Sequence, residues 1–317
     1  MATAEQIKSL LRSHANNDSE HFYAIALQVA AAEAKNGHRA LAFDIRDIVD
    51  KARRSKIASN NNLPKELNSL VYSEASEVTK SSLVLTEKLN ERIERVILEF
   101  RQREKLKSHG LEHRRKILLS GPPGTGKTMT AKVLAHELKM PLYIIQIDRL
   151  VTKFMGETSA KLRQIFDLIK DSQGVYLFDE FDAIGAERSR DNDVGEMRRV
   201  LNAFLQFIEL DKSDSLIIAA TNNIDLLDHA LFRRFNDVLH YDYPDDASKK
   251  RLVQNVLTSF ISKSFGWKTV LHQAKNLSHA ELVASCNDAI KEVILMGHSK
   301  VNAALLTKMI KERQEIK

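Results

Sequence analysis

Gly121-Pro122-Pro123-Gly124-Thr125-Gly126-Lys127-Thr128 follows the apolar run Ile117-Leu118-Leu119. It precedes Met129-Thr130-Ala131-Lys132-Val133-Leu134-Ala135-His136-Glu137-Leu138, whose apolar positions recur at helical spacing. Strand, glycine loop and helix in that order form a phosphate-binding loop of the G-x-x-x-x-G-K-T type. Gly121, Gly124 and Gly126 let the backbone wrap phosphates and aim N–H groups at them. The helix that follows adds its positive N-terminal end. Lys127 is expected to reach the β- and γ-phosphates, and the Thr128 hydroxyl to coordinate Mg²⁺. Residues 121–129, from Gly121 to Met129 and with Pro122, Pro123 and Thr125 among them, are the expected ATP-binding stretch.

A second apolar run, Val175-Tyr176-Leu177-Phe178, delivers two adjacent carboxylates, Asp179 and Glu180, at its end. In open α/β sheets that end of a strand faces the ligand crevice. Asp179 suits a role in holding Mg²⁺, and Glu180 suits polarising an attacking water as a general base.

Further apolar runs at 143–147, 216–220 and 238–241 alternate with helical periods. This alternation predicts an α/β fold, a parallel sheet with helices on both faces. A long amphipathic helix is predicted over 86–107, ahead of the loop, and beyond Pro244 the strand signals stop and the chain reads as helices. Three helical segments open the chain, near 4–14, 19–35 and 40–49, with Ser19 a fitting N-cap and Asn36-Gly37 a stop. The polar stretch Ser59-Asn60-Asn61-Asn62-Leu63-Pro64 then marks a linker. The expected divisions are a helical bundle at 1–57, a linker at 58–82, an α/β nucleotide domain at 83–243 and a helical lid at 244–317.

The composition narrows the classes. Forty-eight basic against 42 acidic residues leave a charge of +6 that is spread along the chain, too mild to imply nucleic acid. Aromatic residues make up only 6%, few for stacking on bases. The lone cysteine, Cys286, leaves no internal disulfide and suits a reducing compartment. No signal-peptide pattern opens the chain and no long apolar run suggests membrane insertion, so a cytoplasmic protein is expected.

With both motifs in view, the chain resembles AAA+ ATPases of the conventional AAA branch, which remodel proteins. The likeness extends from about Leu83 to the C-terminus and includes Asp179-Glu180-Phe181-Asp182-Ala183-Ile184-Gly185 and Gly195-Glu196-Met197-Arg198-Arg199-Val200-Leu201-Asn202. It implies an AAA+ core with a C-terminal helical lid, ATP hydrolysis with Mg²⁺, and a homo-oligomer, a hexameric ring. Asn222, in Ala220-Thr221-Asn222, is similar to the family's sensor that orients the lytic water. Arg233 and Arg234 resemble arginine fingers directed at a neighbouring subunit's ATP. Lys153-Phe154-Met155-Gly156 resembles the pore loop that grips an extended polypeptide. The charged loop 187–193 stands where a second pore loop would.

The segment Leu277-Ser278-His279-Ala280-Glu281-Leu282 resembles the family's lid turn, with His279 where glycine is common; no sensor arginine stands there, which fits the conventional AAA branch and disfavours the initiator and clamp-loader branches. The helical N-terminal region is similar to that of short bacterial members that accompany separate serine proteases. The implied function is a motor that threads, unfolds or disassembles protein substrates, with a partner protease as one outcome. Two alternatives stay open at this stage: a nucleic-acid motor or loader, and a nucleotide-gated scaffold.

Overall fold

The computed structural model describes residues 19–59, 69–150, 157–185, 194–227, 229–262 and 264–315, with the isolated positions 8, 9, 13 and 67. Its contacts divide the chain into two units, 1–62 and 63–317. In the first, helices α1 (Ser19–Lys35) and α2 (Arg39–Ser59) pack through Tyr23, Ala26 and Val49. Of the helix expected at 4–14, only positions 8, 9 and 13 are described, and these are helical.

The second unit is built on a six-stranded sheet. Its strands are β1 (Val71–Glu74), β2 (Lys116–Ser120), β3 (Leu142–Gln146), β4 (Val175–Asp179), β5 (Leu216–Thr221) and β6 (Asp237–His240), in the order β1-β3-β4-β5-β2-β6. The five strands from β2 to β6 pair in parallel, whereas β1 runs antiparallel to β3 at the edge. The α/β fold expected from the sequence is therefore the observed one.

Parallel strands covered on both faces read as unbroken apolar runs. Period-two alternation then sorts their side chains. Leu118, Tyr176, Phe178, Ile217 and Ala219 face one core with the helices Glu157–Asp171 and Val194–Leu210. Ile117, Leu119, Val175, Leu177, Ile218 and Ala220 face the other, with the helices Glu87–Arg101 and Lys127–Leu138. A third core joins the C-terminal helices Asp246–Leu257, Trp267–Gln273, His279–Leu295 and Ala303–Glu315.

Two elements differ from the sequence expectation. The helix predicted over 86–107 divides into α3 (Glu87–Arg101) and α4 (Arg103–Ser108). Its buried stripe, Leu89, Ile93, Val96, Ile97 and Phe100, ends at Phe100, and the Arg103 guanidinium folds back over that ring at 4.9 Å. Strand β1 lies within the stretch read as a linker, where Leu67 and Leu70 are buried against the first core.

The strand that leads into the phosphate loop is anchored at its start. The buried Arg115 guanidinium pairs with the buried Asp211 carboxylate just beyond the helix Val194–Leu210. Removing one partner strands the other charge, a loss of about 3–5 kcal/mol for buried pairs. Asp211→Ala is therefore expected to lower the unfolding free energy by that amount, read from denaturant midpoints at unchanged m-value. A loss within the scatter of surface substitutions would show that solvent reaches the pair.

Candidate active site

The C-terminal ends of β2, β4 and β5 lie side by side, and each delivers part of the site. From β2 the chain enters the glycine loop, then the helix Lys127–Leu138, numbered α5. Two glycines are required by contact. Gly121 has φ +145, and a Cβ there would fall 2.0 Å from the Tyr241 carbonyl oxygen. Gly124 has φ +72, and a Cβ would meet the Ser278 Oγ at 2.7 Å. The Thr125 hydroxyl donates to the Pro122 carbonyl at 2.7 Å, which closes the loop internally. Met129 stands partly exposed on the first turn of α5.

Lys127 lies buried within the loop. Its Nζ donates to the carbonyls of Gly121 at 2.6 Å and Pro122 at 2.9 Å, and to Asn222 Oδ1 at 2.9 Å. Burial pushes its pKa down, while the Asp179 and Asp182 carboxylates oppose that shift. This ammonium is held by acceptors that a phosphate oxygen can replace.

The Thr128 hydroxyl donates to Asp179 Oδ2 at 2.8 Å. These are hard oxygen donors side by side, which fits Mg²⁺. That ion keeps several waters and takes one or two protein carboxylates beside substrate phosphates, so a dedicated cage is not required.

Glu180 follows with φ +54, in the left-handed region that non-glycine residues rarely occupy. Such a conformation costs on the order of 1–3 kcal/mol and persists where the surroundings impose it. Here the next peptide is tied across the sheet, Phe181 N–H to the Ala220 carbonyl at 2.8 Å. The turn continues with Ala183 N–H to the Glu180 carbonyl at 2.9 Å. The Glu180 side chain is exposed and makes no hydrogen bond or ion pair among the described residues. Its carboxylate, on the residue next to Asp179, is therefore accessible to water.

Asn222 enters from the end of β5. Its side chain accepts from Lys127, and its N–H donates to Asp182 Oδ1 at 3.4 Å. Asp182 was quoted in the sequence only as part of a motif. The spacing of the Asp179-Glu180-Phe181-Asp182 string places it in the first turn of the short helix Asp182–Gly185, where it steadies the Asn222 backbone. Tyr241 was also missed. It is buried, its hydroxyl donates to the Thr130 Oγ1 at 2.7 Å, and its backbone closes against Gly121.

Arg233 and Arg234 make no hydrogen bond or ion pair with Lys127, Asp179 or Glu180. Arg234 pairs with Glu209 at 2.9 Å. Arg233 is exposed and makes no ion pair among the described residues. Lys153, Phe154, Met155 and Gly156, and the loop 187–193, lie outside the described residues.

The C-terminal helices reach the loop directly. Ser278 caps the helix His279–Leu295 and exchanges hydrogen bonds with Glu281 in a capping box. The Ala280 N–H donates to the Gly124 carbonyl at 3.0 Å. On the other side, a Leu83 methyl lies 3.6 Å from where a Gly126 Cβ would stand.

No helix among the described residues is long and apolar enough to cross a membrane. The family described as "ATPase family associated with various cellular activities (AAA)" matches residues 117–243. The AAA family ATPase y4kL of Sinorhizobium fredii is 33% identical over 314 residues, covering 95% of this chain and 92% of that protein. A proteasome-activating nucleotidase of Methanoregula boonei is 34% identical over 214 residues, 65% of this chain and 49% of that protein. A putative 26S proteasome regulatory subunit homolog of Methanothermobacter thermautotrophicus is 37% identical over 148 residues, 45% of this chain and 39% of that protein. The chain thus spans half or less of the length of these last two relatives. Similarity over nearly the whole of one AAA ATPase, together with the glycine loop, the Asp179-Glu180 pair and the C-terminal helices docked on Gly124, identifies this chain as a member of the AAA family of ATPases.

Proposed function

We propose that this ATPase is a ring-forming motor that pulls on protein substrates, unfolding or disassembling them. The observation that carries the reading is the set of hydrolytic groups at the ends of β2, β4 and β5. In this reading Lys127, hydrogen-bonded to Asn222, takes phosphate, the adjoining Thr128 and Asp179 take Mg²⁺, Glu180 takes water and Asn222 aligns that water. A hydrolytic set of this kind suits repeated turnover rather than simple nucleotide-gated binding. The bound Mg²⁺ would neutralise phosphate charge. The protein groups would orient ATP, exclude competing water and take a proton at the Glu180 carboxylate.

Arg233 completes the proposal. It is exposed and makes no ion pair within its own described chain, whereas Arg234 is engaged by Glu209. We assign Arg233 as the arginine that stabilises the transferring phosphoryl group in the neighbouring subunit, with Arg234 holding the turn. Lys153, Phe154, Met155 and Gly156 supply the grip on polypeptide. An aromatic ring beside a methionine gives contact area without reading sequence.

Residues 1–57 recruit the substrate in this reading. Leu41, Phe43 and Ile48 stand exposed on α2, more apolar surface than a solvated helix needs. Relatives named for proteasome activation support delivery to a separate peptidase as one output, a serine protease being the partner suggested by the N-terminal region.

The reading is tested by Phe154→Ala. ATP binding and assembly are expected to be unchanged, while stimulation of ATPase by a reduced, alkylated, permanently unfolded protein is lost. Full stimulation of the variant would remove Phe154 from the grip.

A further inference from the structure

The turn that carries Arg233 is held from several sides. It lies between the short helix His229–Phe232 and β6, and the Arg234 N–H donates to the Leu231 carbonyl at 2.9 Å. Leu231 and Phe235, on either side of the arginine pair, are buried in the first core. Arg234 reaches Glu209, near the end of the helix Val194–Leu210. Asp237, the first residue of β6, pairs with Arg92 of α3.

Asn236 supplies the attachment nearest the strand. Its N–H donates to the Lys116 carbonyl at 2.8 Å. Its side-chain Oδ1 accepts from the Arg115 N–H at 3.1 Å and from the Lys116 N–H at 3.0 Å. Two donors converge on this one atom, which identifies it as the amide oxygen. The pairing of β6 with β2 starts at Asp237, so before that residue the Asn236 side chain stands in for a strand partner. The anchor point is itself fixed, because the Arg115 side chain is buried and paired with Asp211. Arg233 lies three residues before Asn236 and inherits any displacement of the turn. A shift of about 1 Å, even from a change remote from the chemistry, can cost about 10²-fold in rate.

We propose that Asn236 is a positioning residue for Arg233: its double contact with the entry of β2 sets the turn from which Arg233 reaches the neighbouring subunit's nucleotide. The inference rests on the reading of Arg233 as a group that acts between subunits. Strand β2 also leads into the subunit's own phosphate loop, so a competing role for Asn236 is to support that loop. The two roles fall on different chains and can be separated.

The test uses the full chain. Asn236→Ala is expected to lower kcat about ten- to a hundredfold, with affinity for Mg²⁺-ADP unchanged. Asn236→Asp keeps an oxygen that accepts both N–H groups and should recover most of the loss. Mixed with Glu180→Gln, the alanine variant should give more activity than the two parts summed, since its own site is then served by an intact turn. Mixed with Arg233→Ala it should give no such gain, because neither chain supplies a correctly held arginine. Asn236→Ser carries the same comparisons should the alanine variant not assemble. Loss of Mg²⁺-ADP affinity in step with kcat, no gain with Glu180→Gln, or an equal gain with Arg233→Ala would overturn the proposal. If Arg233→Ala mixed with Glu180→Gln gains activity while Asn236→Ala does not, the role of Arg233 stands and that of Asn236 fails. If neither mixture gains, action between subunits fails and this proposal with it.

Discussion

Glu180→Gln is expected to lower kcat for ATP hydrolysis by about 10²–10⁴-fold, the usual contribution of a positioned general base. This corresponds to roughly 3–5 kcal/mol of transition-state stabilisation. Binding of Mg²⁺-ATP should persist, because in the proposed site the phosphate contacts fall to the loop and Lys127 and the metal donors would be Thr128 and Asp179. The amide is nearly isosteric with the carboxylate, and the left-handed turn at 180 is imposed by the backbone bond from Phe181 to Ala220 rather than by the Glu180 side chain. The fold should therefore be unchanged, so binding and turnover separate cleanly. The check is single-turnover hydrolysis beside nucleotide titration. Loss of binding in step with hydrolysis would mean that Glu180 holds the nucleotide rather than activating water.

Arg233→Ala is expected to cost about 10³-fold or more in kcat, in the range that arginine fingers supply to phosphoryl transfer. Arg234→Ala should cost much less catalytically, since Arg234 is paired with Glu209 and its loss loosens a turn. The decisive arrangement is a mixture. A subunit carrying Arg233→Ala retains Glu180, and a subunit carrying Glu180→Gln retains Arg233. Where the two adjoin in the right order, one intact site forms from groups on two chains. Mixing the inactive variants should therefore restore measurable ATPase activity. A mixture as inactive as its parts would show that Arg233 does not act between subunits. Equal losses for Arg233→Ala and Arg234→Ala would remove the assignment of Arg233 over its neighbour.

Much of the nucleotide site was legible in the sequence because its chemistry is local. The glycine loop needs residues close along the chain, and the Asp179-Glu180 pair is announced by the apolar strand before it. The five parallel strands were visible for the same reason, as apolar runs that a doubly covered sheet buries, most completely in β2, β4 and β5. What escaped depends on contacts far apart in sequence. Strand β1 has only four residues and is defined by its pairing with β3, so periodicity cannot reveal it. Tyr241 closes on Gly121 from the far end of β6, and the Arg115–Asp211 pair joins a strand start to a helix end. The break after Arg101 is different: the charged stretch beyond Phe100 has good helix formers but no core to face. The seam around His279 joins segments from opposite ends of the nucleotide unit, and only folding brings Leu83, Gly124 and Ala280 together.

The central claim, an ATP-driven motor that acts on protein, is tested most directly by trapping its client. Glu180→Gln should load ATP, assemble and stall with substrate held in the ring. Material that co-purifies with the variant in ATP but not in ADP would be identified by mass spectrometry, with and without residues 1–57. The account predicts a polypeptide client that is retained in ATP and lost when those residues are removed. Recovery of nucleic acid alone, or of nothing that depends on ATP, would contradict it.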